Sequence, residues 1–524
     1  MAETITAQQQ REELHKTIWN IADSLRGAID GWEFKSYILC TIFYRYISEN
    51  LCDYINKLQR ESGDTTFDFS KVSDEEASDD AIKSMMVQAK GYYILPSQLF
   101  INVANNADKD DNLNETLSKA FKYIEESALG TPSEFAIRGL FSDFAVNNSQ
   151  LGNSVSKRNQ LIAKVLVAIR DLDLGSAFED NNIDAFGDAY EFLMKMYASG
   201  AGKSGGEFFT PQEVSEILAR IVMLGGRTIK SVYDPACGSG SLLLKFSKLA
   251  PNNDEIHFYG QEVNPTTYNL CRINMFLHNI NFANFDIQLE DTLIKPQHMD
   301  LAKTGFDGIV SNPPYSIPWE GDANAILIND ERYSPAGVLA PKNKADLAFT
   351  MHMLYHLAET GTAAIVEFPG VLYRSGAENK IRQYLVNNNY IDTIIQLPQN
   401  LFFGVSIATC IIVLKKSAKK DNSILFLDAS NLFKKEGNKN RMMPEHQDAV
   451  VNAVEERKDV QYFTKLVSCD DVAKNDYNLS VSSYVEKEVI KEDIDIDKVN
   501  ADINDLMAKA ITLNDEINKI IAEL

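Results

Sequence analysis

The chain has 524 residues, 45% of them hydrophobic and 24% charged, a balance that excludes a disordered or fibrous protein and suits several folded parts with a sizeable core. A net charge of −23 argues against tight binding of a polyanion by the chain as a whole, so firm, sequence-selective hold on nucleic acid would need a more basic partner. No apolar run reaches the roughly 18 residues of a membrane span; with the polar start Met1-Ala2-Glu3-Thr4 and six cysteines lacking any Cys-x-x-Cys pair, a cytoplasmic chain without signal peptide, membrane segment or metal site is expected.

Residues 1–170 read as a helical N-terminal domain. Leu14, Ile18, Ile21 and Leu25 recur at helical spacing, and the stretch from Trp32 to Leu51 is rich in apolar and aromatic residues. Acidic stretches such as Ser73-Asp74-Glu75-Glu76 and Asp108-Lys109-Asp110-Asp111 read as surface loops. The glycine-rich hinge Ser199–Gly206 contains Gly202-Lys203-Ser204, the end of a phosphate-binding loop, but Tyr197 stands where that motif needs its first glycine.

From about 225 to 416 short apolar runs alternate with helical patterns. Seven strands are predicted, at Ser231–Tyr233, His257–Gly260, Phe285–Leu289, Gly308–Val310, Ala363–Val366, Thr393–Leu397 and Cys410–Leu414. This is the texture of an α/β doubly wound sheet, which binds ligands beyond the carboxyl ends of its strands. Two lysine-rich clusters follow, Lys415, Lys416, Lys419, Lys420 and Lys434, Lys435, Lys439, Arg441, which suit solvated loops and phosphate contacts equally. Residues 171–480 are read as the catalytic domain. The tail 481–524 carries Ile496, Val499, Ile503, Leu506, Ala510, Leu513, Ile517, Ile520 and Leu524 at alternating spacings of three and four, a coiled-coil-like helix that pairs with a partner.

The first strand runs into Asp234-Pro235-Ala236-Cys237-Gly238-Ser239-Gly240-Ser241 and then an apolar helix. Its glycines let backbone approach a ligand, and Glu262, at the end of the second strand, can accept hydrogen bonds from a ribose. Leu243 replaces the third glycine of a dinucleotide site, which disfavours a pyrophosphate. A phosphate-free, cationic nucleoside, S-adenosylmethionine, suits the acidic Asp234, with Glu290 or Asp291 after the third strand placed to meet the adenine amino group; Asp291 could equally cap a helix.

The fourth strand leads into Asn312-Pro313-Pro314-Tyr315. An adenine amino group is a poor nucleophile because its lone pair is delocalised into the ring. Acceptors on its two hydrogens, the Asn312 side-chain oxygen and the Pro313 carbonyl, would pull it toward tetrahedral geometry, and Pro314 stiffens the turn. Such a base must be flipped out of the duplex, and Tyr315 offers an aromatic face to receive it. The histidine-bearing run Met351–His356 lacks the glutamate of a zinc-hydrolase helix and reads as core or surface helix.

At these residues the chain resembles the amino-methyltransferases, and more closely the modification subunits of type I restriction–modification systems. The segment Glu207-Phe208-Phe209-Thr210-Pro211-Gln212 matches a family motif, and the resemblance implies that it lies over the bound cofactor. The resemblance runs essentially the whole length and implies N6-adenine methylation of double-stranded DNA. It also implies two copies of the chain around one specificity subunit, with a translocating restriction subunit able to join. A stand-alone adenine enzyme, N4-cytosine methylation and protein glutamine methylation stay open as alternatives.

Overall fold

The computed structural model describes residues 12, 14–20, 33–172, 174, 185–200, 210–250, 255–402, 406–417, 419, 421–437, 439–487 and 496–523. Ile21, Leu25, most of the glycine-rich hinge and Glu207, Phe208 and Phe209 lie outside the described residues. The longer helices of the first part are α1 (Glu33–Glu61), α2 (Asp80–Lys90), α3 (Leu113–Ser127), α4 (Val155–Arg170) and α5 (Ala185–Gly200). Tyr37, Ile38, Leu39, Ile42, Phe43, Tyr44, Ile47 and Leu51 are all buried, on every side of α1, as befits a helix wrapped by others. Arg45 caps the end of α4, its Nη1 donating to the carbonyls of Ile169 (2.5 Å) and Leu172 (2.7 Å), where the carboxyl end of a helix carries unpaired acceptors. The acidic stretch at 73–76 is not a loop: Asp74–Ala77 is a helical turn with Ser73 and Glu76 in a reciprocal capping box.

Beyond Thr210 come α6 (Gln212–Met223), β1 (Ser231–Asp234), α7 (Ser241–Leu249), β2 (His257–Glu262), α8 (Pro265–Leu277), β3 (Phe285–Leu289) and β4 (Phe306–Ser311). Then follow α9 (Asp346–His356), β5 (Leu357–Glu367), α10 (Ala377–Asn387), β6 (Ile391–Gln396), β7 (Cys410–Lys415) and β8 (Ser423–Asp428). A separate hairpin of β9 (Lys434–Glu436) and β10 (Lys439–Arg441), then α11 (Pro444–Glu456) and β11 (Thr464–Ser468), complete this part.

The sheet runs β11-β8-β6-β7-β5-β4-β1-β2-β3. Strands β3, β2, β1, β4 and β5 are parallel neighbours, while β7 lies antiparallel between β5 and β6. The seven expected strands are therefore present within a sheet of nine, so the strand count is corrected. The run Ile424-Leu425-Phe426-Leu427 is wholly buried in β8, parallel to β6, and β11 pairs antiparallel on its far side. Lysines at 415–420 gave that stretch the look of a loop, although an apolar run of four is what a strand covered on both faces requires.

Close helix-to-sheet packing locates the site. At Gly308 a Cβ would sit 2.7 Å from Val222 Cγ1, so glycine admits α6 tightly onto β4. The N-terminal helices meet the sheet layer through α8: Phe276 packs near Phe43 and Tyr92, Arg272 Nη1 donates to the carbonyls of Phe135 and Arg138 (2.8 Å each), and Tyr190 donates to the Leu270 carbonyl (2.6 Å). Residues 1–485 form one compact unit and 486–524 a second. The second holds α12 (Ile496–Glu523), on which Ile503, Leu506, Ala510, Leu513 and Ile517 are all exposed. Among the described residues no helix is long and apolar enough to cross a membrane.

Candidate active site

Because β1 to β5 run in parallel, their carboxyl ends share one edge of the sheet, and Asp234, Glu262, Asn312 and Glu367 end or follow those strands there. Asp234 is wholly buried. Its Oδ1 accepts from the Ala236 N–H (3.0 Å) and from the Ser311 hydroxyl (2.9 Å), while among the described residues its Oδ2 has no hydrogen-bond partner. Burial pushes this carboxyl up to about 7 against the pull of those two donors, and nearby Glu262 adds to the rise.

The loop after β1 turns at Gly238 and Gly240, both in the left-handed region (φ 54° and 78°). A Cβ on Gly240 would stand 2.8 Å from Cys271 Sγ and 3.1 Å from Met275 Cε, so this glycine is needed both for its backbone and for the approach of α8. Ser241 opens α7, and Asn274 holds the Ser239 carbonyl at 2.8 Å. Pro235 is tied through its carbonyl to the Thr292 hydroxyl (2.6 Å).

Glu262 accepts three backbone N–H bonds, from Gly238 (3.0 Å), Val263 (3.0 Å) and Asn264 (2.9 Å). A carboxylate has about four acceptor sites, which leaves capacity for one further donor. Burial raises its pKa all the same. Asp291 uses Oδ1 in a turn, accepting the Leu293 N–H at 2.9 Å, and among the described residues no helix follows for it to cap. Its loop is rigidly held: Gln261, fully buried, donates to the carbonyls of Glu290 (3.1 Å) and Lys295 (3.0 Å), and Arg332 donates to those of Thr292 and Leu293 (2.8 Å each).

Asn312 is buried directly beyond β4. Its Nδ2 donates to Thr210 Oγ1 (3.1 Å), and its Oδ1 accepts from the Tyr315 hydroxyl (2.5 Å). Thr210 thus joins the motif of residues 207–212 to the Asn312–Tyr315 tetrapeptide; Pro211 caps α6 and Gln212 begins it. Pro313 is buried and, among the described residues, its carbonyl accepts no hydrogen bond. Tyr315 is not an isolated face: besides its bond to Asn312, it meets Phe402 edge-on (6.4 Å, 81°). Burial, with Glu367 behind it, holds the phenol well above its usual range, so it stays a donor.

Sequence reasoning put Thr210 in the motif over the cofactor but missed its bond to Asn312, and it missed the roles of Ser311 and Asp346 altogether. Ser311 and Thr210 steer Asp234 and Asn312. Buried Asp346, at the start of α9, accepts the N–H of Ser316 (2.9 Å), whose φ of 52° is the strained turn that ends the tetrapeptide. Ser311 was legible as the last residue of the strand, but no local pattern marks Asp346.

This edge offers a cationic ligand an unpaired buried carboxylate oxygen beside a glycine loop and, next to it, an amide oxygen with an adjacent bare carbonyl. The N-6 DNA Methylase family model matches residues 181–493, and the HsdM N-terminal domain model matches residues 14–169. The chain belongs to the N-6 DNA methylase family. Its relatives are type I methylase subunits: one from Mycoplasma pneumoniae is 47% identical over 98% of this chain and 97% of its own. One from Methanocaldococcus jannaschii is 30% identical over 93% of this chain and 80% of its own. The crystal structure of a type I methyltransferase subunit from Streptococcus thermophilus superposes with a TM-score of 0.82 at 35% identity, covering 91% of this chain and all of that one. As such a methylase, the chain is a subunit of a type I restriction–modification system and an adenine-specific, S-adenosylmethionine-dependent DNA methyltransferase.

Proposed function

We propose that Asn312 and Pro313 take the two hydrogens of one flipped adenine amino group and that the loop after β1 holds S-adenosylmethionine beside it. The observation that carries this reading is the pairing of two groups at one sheet edge: the unpartnered Oδ2 of Asp234, and the Asn312 amide fixed by Thr210. A buried acceptor without a donor costs about 1–3 kcal/mol, so a ligand that brings a cationic donor to Asp234 is favoured. Gly238, Ser239, Gly240 and Ser241 give backbone access, Pro235 fixes the turn, and the remaining acceptor capacity of Glu262 suits a ribose hydroxyl. Asp291, in the loop after β3 at the same sheet edge, is assigned to the adenine amino group, and residues 207–212 would cover the ligand.

When bound, the cofactor supplies a methyl group activated on a positive sulfonium. The chain's own work is orientation. Asn312 Oδ1, which also accepts from Tyr315, is assigned to one amine hydrogen, and the Pro313 carbonyl to the second. With both hydrogens held, the nitrogen lone pair points out of the ring plane toward the donor. Tyr315, held edge-on against Phe402, would offer its aromatic face to the flipped base.

The acidity of the chain and the exposed stripe on α12 support assembly with a specificity subunit that reads the DNA, two methylase copies per specificity subunit, in the cytoplasm, with a restriction subunit able to join. The domain reading that supports this is 1–170 for the helical part, 171–480 for catalysis and 481–524 for pairing. The test is co-expression with the neighbouring gene products and nucleoside digestion of host DNA. N6-methyladenine is the expected product; N4-methylcytosine alone, or methylated protein without modified DNA, would overturn the reading.

A further inference from the structure

The fold sends the two basic clusters of this acidic chain to opposite edges of its sheet. Lys415 ends β7 opposite Thr362, five residues before Glu367 along β5, which is about 17 Å from the active-site edge at strand rise. The described lysines of that cluster are spent internally, Lys420 lying outside the described residues. Lys415 pairs with Asp392 (3.4 Å), Lys416 donates to the Leu357 carbonyl (2.5 Å), and Lys419 donates to the Ile391 carbonyl (2.7 Å) and to Asn389.

The second cluster lies at the active-site edge. Glu367, Cys410, Gln396 and Asp428 form one row across β5, β7, β6 and β8, and the chain leaves that row from β8 to enter the β9–β10 hairpin. Asn440 fastens the hairpin to the loop after β6, its N–H donating to the Asn400 carbonyl (3.1 Å) and its Nδ2 to that of Gln399 (2.8 Å). This same loop continues to Phe402, the ring that meets Tyr315. From the other side Arg441 acts electrostatically on Glu213, three residues beyond the Thr210 that holds Asn312.

Within the hairpin, Lys434 stands directly opposite Arg441. Like charges facing each other across a ladder repel, and an anion lying against both relieves that repulsion. Lys434 and Lys435 are exposed and make no ion pair among the described residues. Arg441 pairs with Glu436 at 3.4 Å, and both are about half exposed, so that pair contributes little.

We propose that the β9–β10 hairpin grips the DNA backbone beside the flipped base, with Lys434, Lys435 and Arg441 on phosphates. The inference rests on the methylation reading above and adds a local cationic contact that the chain's overall charge conceals. It is tested with the assembled methyltransferase, chain plus its DNA-reading partner, by measuring Kd for a duplex carrying the methylation site between 50 and 200 mM salt. Parent and Lys434→Gln/Lys435→Gln are compared, with Lys434→Arg/Lys435→Arg as the charge-keeping control. Two lost phosphate contacts make the slope of log K against log salt shallower by about 1.8, so over this fourfold rise the parent loses about 12-fold more affinity than the Gln variant. Cofactor affinity stays unchanged and the Arg variant keeps the parental slope. A parent that methylates adenine while the Gln variant keeps its Kd and slope overturns the hairpin contact alone. A parent that leaves adenine unmethylated overturns the reading beneath it as well.

Discussion

Asp234 carries a titration that reads the cofactor cradle directly. Its carboxyl is held up to about 7 by burial, with Oδ2 unpartnered, while a ligand cation beside it demands the carboxylate. Binding therefore releases a proton below neutrality. If only the ionised form binds, the apparent Kd is multiplied by 1 + 10^(7−pH), which is about 11 at pH 6 and about 1.3 at pH 7.5, close to a tenfold change. The protein's own stability runs in the opposite sense. A carboxyl raised from 3.8 to about 7 favours the fold below pH 4 and loses that advantage as pH climbs through 7. The shift of roughly three units corresponds to about 4 kcal/mol at most, part of which the ligand restores. Titration calorimetry in two buffers of different ionisation heat should show about half a proton released per cofactor at pH 7. Asp234→Asn should bind more weakly with a flat profile. Equal Kd at pH 6 and 7.5, with no buffer-dependent heat, would refute the assignment of Asp234.

Three further outcomes are expected. Thr210→Val keeps the shape of the side chain but removes the hydrogen bond it gives Asn312 Nδ2, a loss of about 1–3 kcal/mol, so single-turnover methyl transfer should slow by about 5- to 150-fold, by more than cofactor Kd rises. Gly240→Ala forces a left-handed residue and a methyl 2.8 Å from Cys271 Sγ; thermal melting should fall, and calorimetry should show cofactor binding weakened by at least tenfold. Removing residues 490–524 should leave cofactor affinity unchanged and abolish co-purification with the DNA-reading partner, since the exposed stripe Ile503, Leu506, Leu513 and Ile517 goes with it.

Much of the catalytic edge is legible from the chain because its parts are local. Asp234 to Ser241 and Asn312 to Tyr315 are each contiguous, and each follows an apolar run that could only be a buried strand. What escaped is non-local or masked by composition. The bonds Asn312–Thr210, Ser311–Asp234 and Ser316–Asp346 join residues 102, 77 and 30 positions apart, and no spacing rule encodes them. Strand β8 hid behind lysines whose charges are absorbed by backbone carbonyls of the sheet edge. The capping box at Ser73 was visible as a Ser-x-x-Glu pattern but was read for its acidity rather than for its hydrogen bonds.

The central claim is that Asn312 orients the reacting amine and does nothing for cofactor binding. It is tested most directly by single-turnover methyl transfer to a duplex site by the assembled enzyme carrying Asn312→Ala, with cofactor Kd measured on the same sample. Loss of transfer by at least a thousandfold, with Kd within about threefold of the parent, is the expected result. Transfer at the parental rate, or a Kd that collapses in step with activity, would contradict the account.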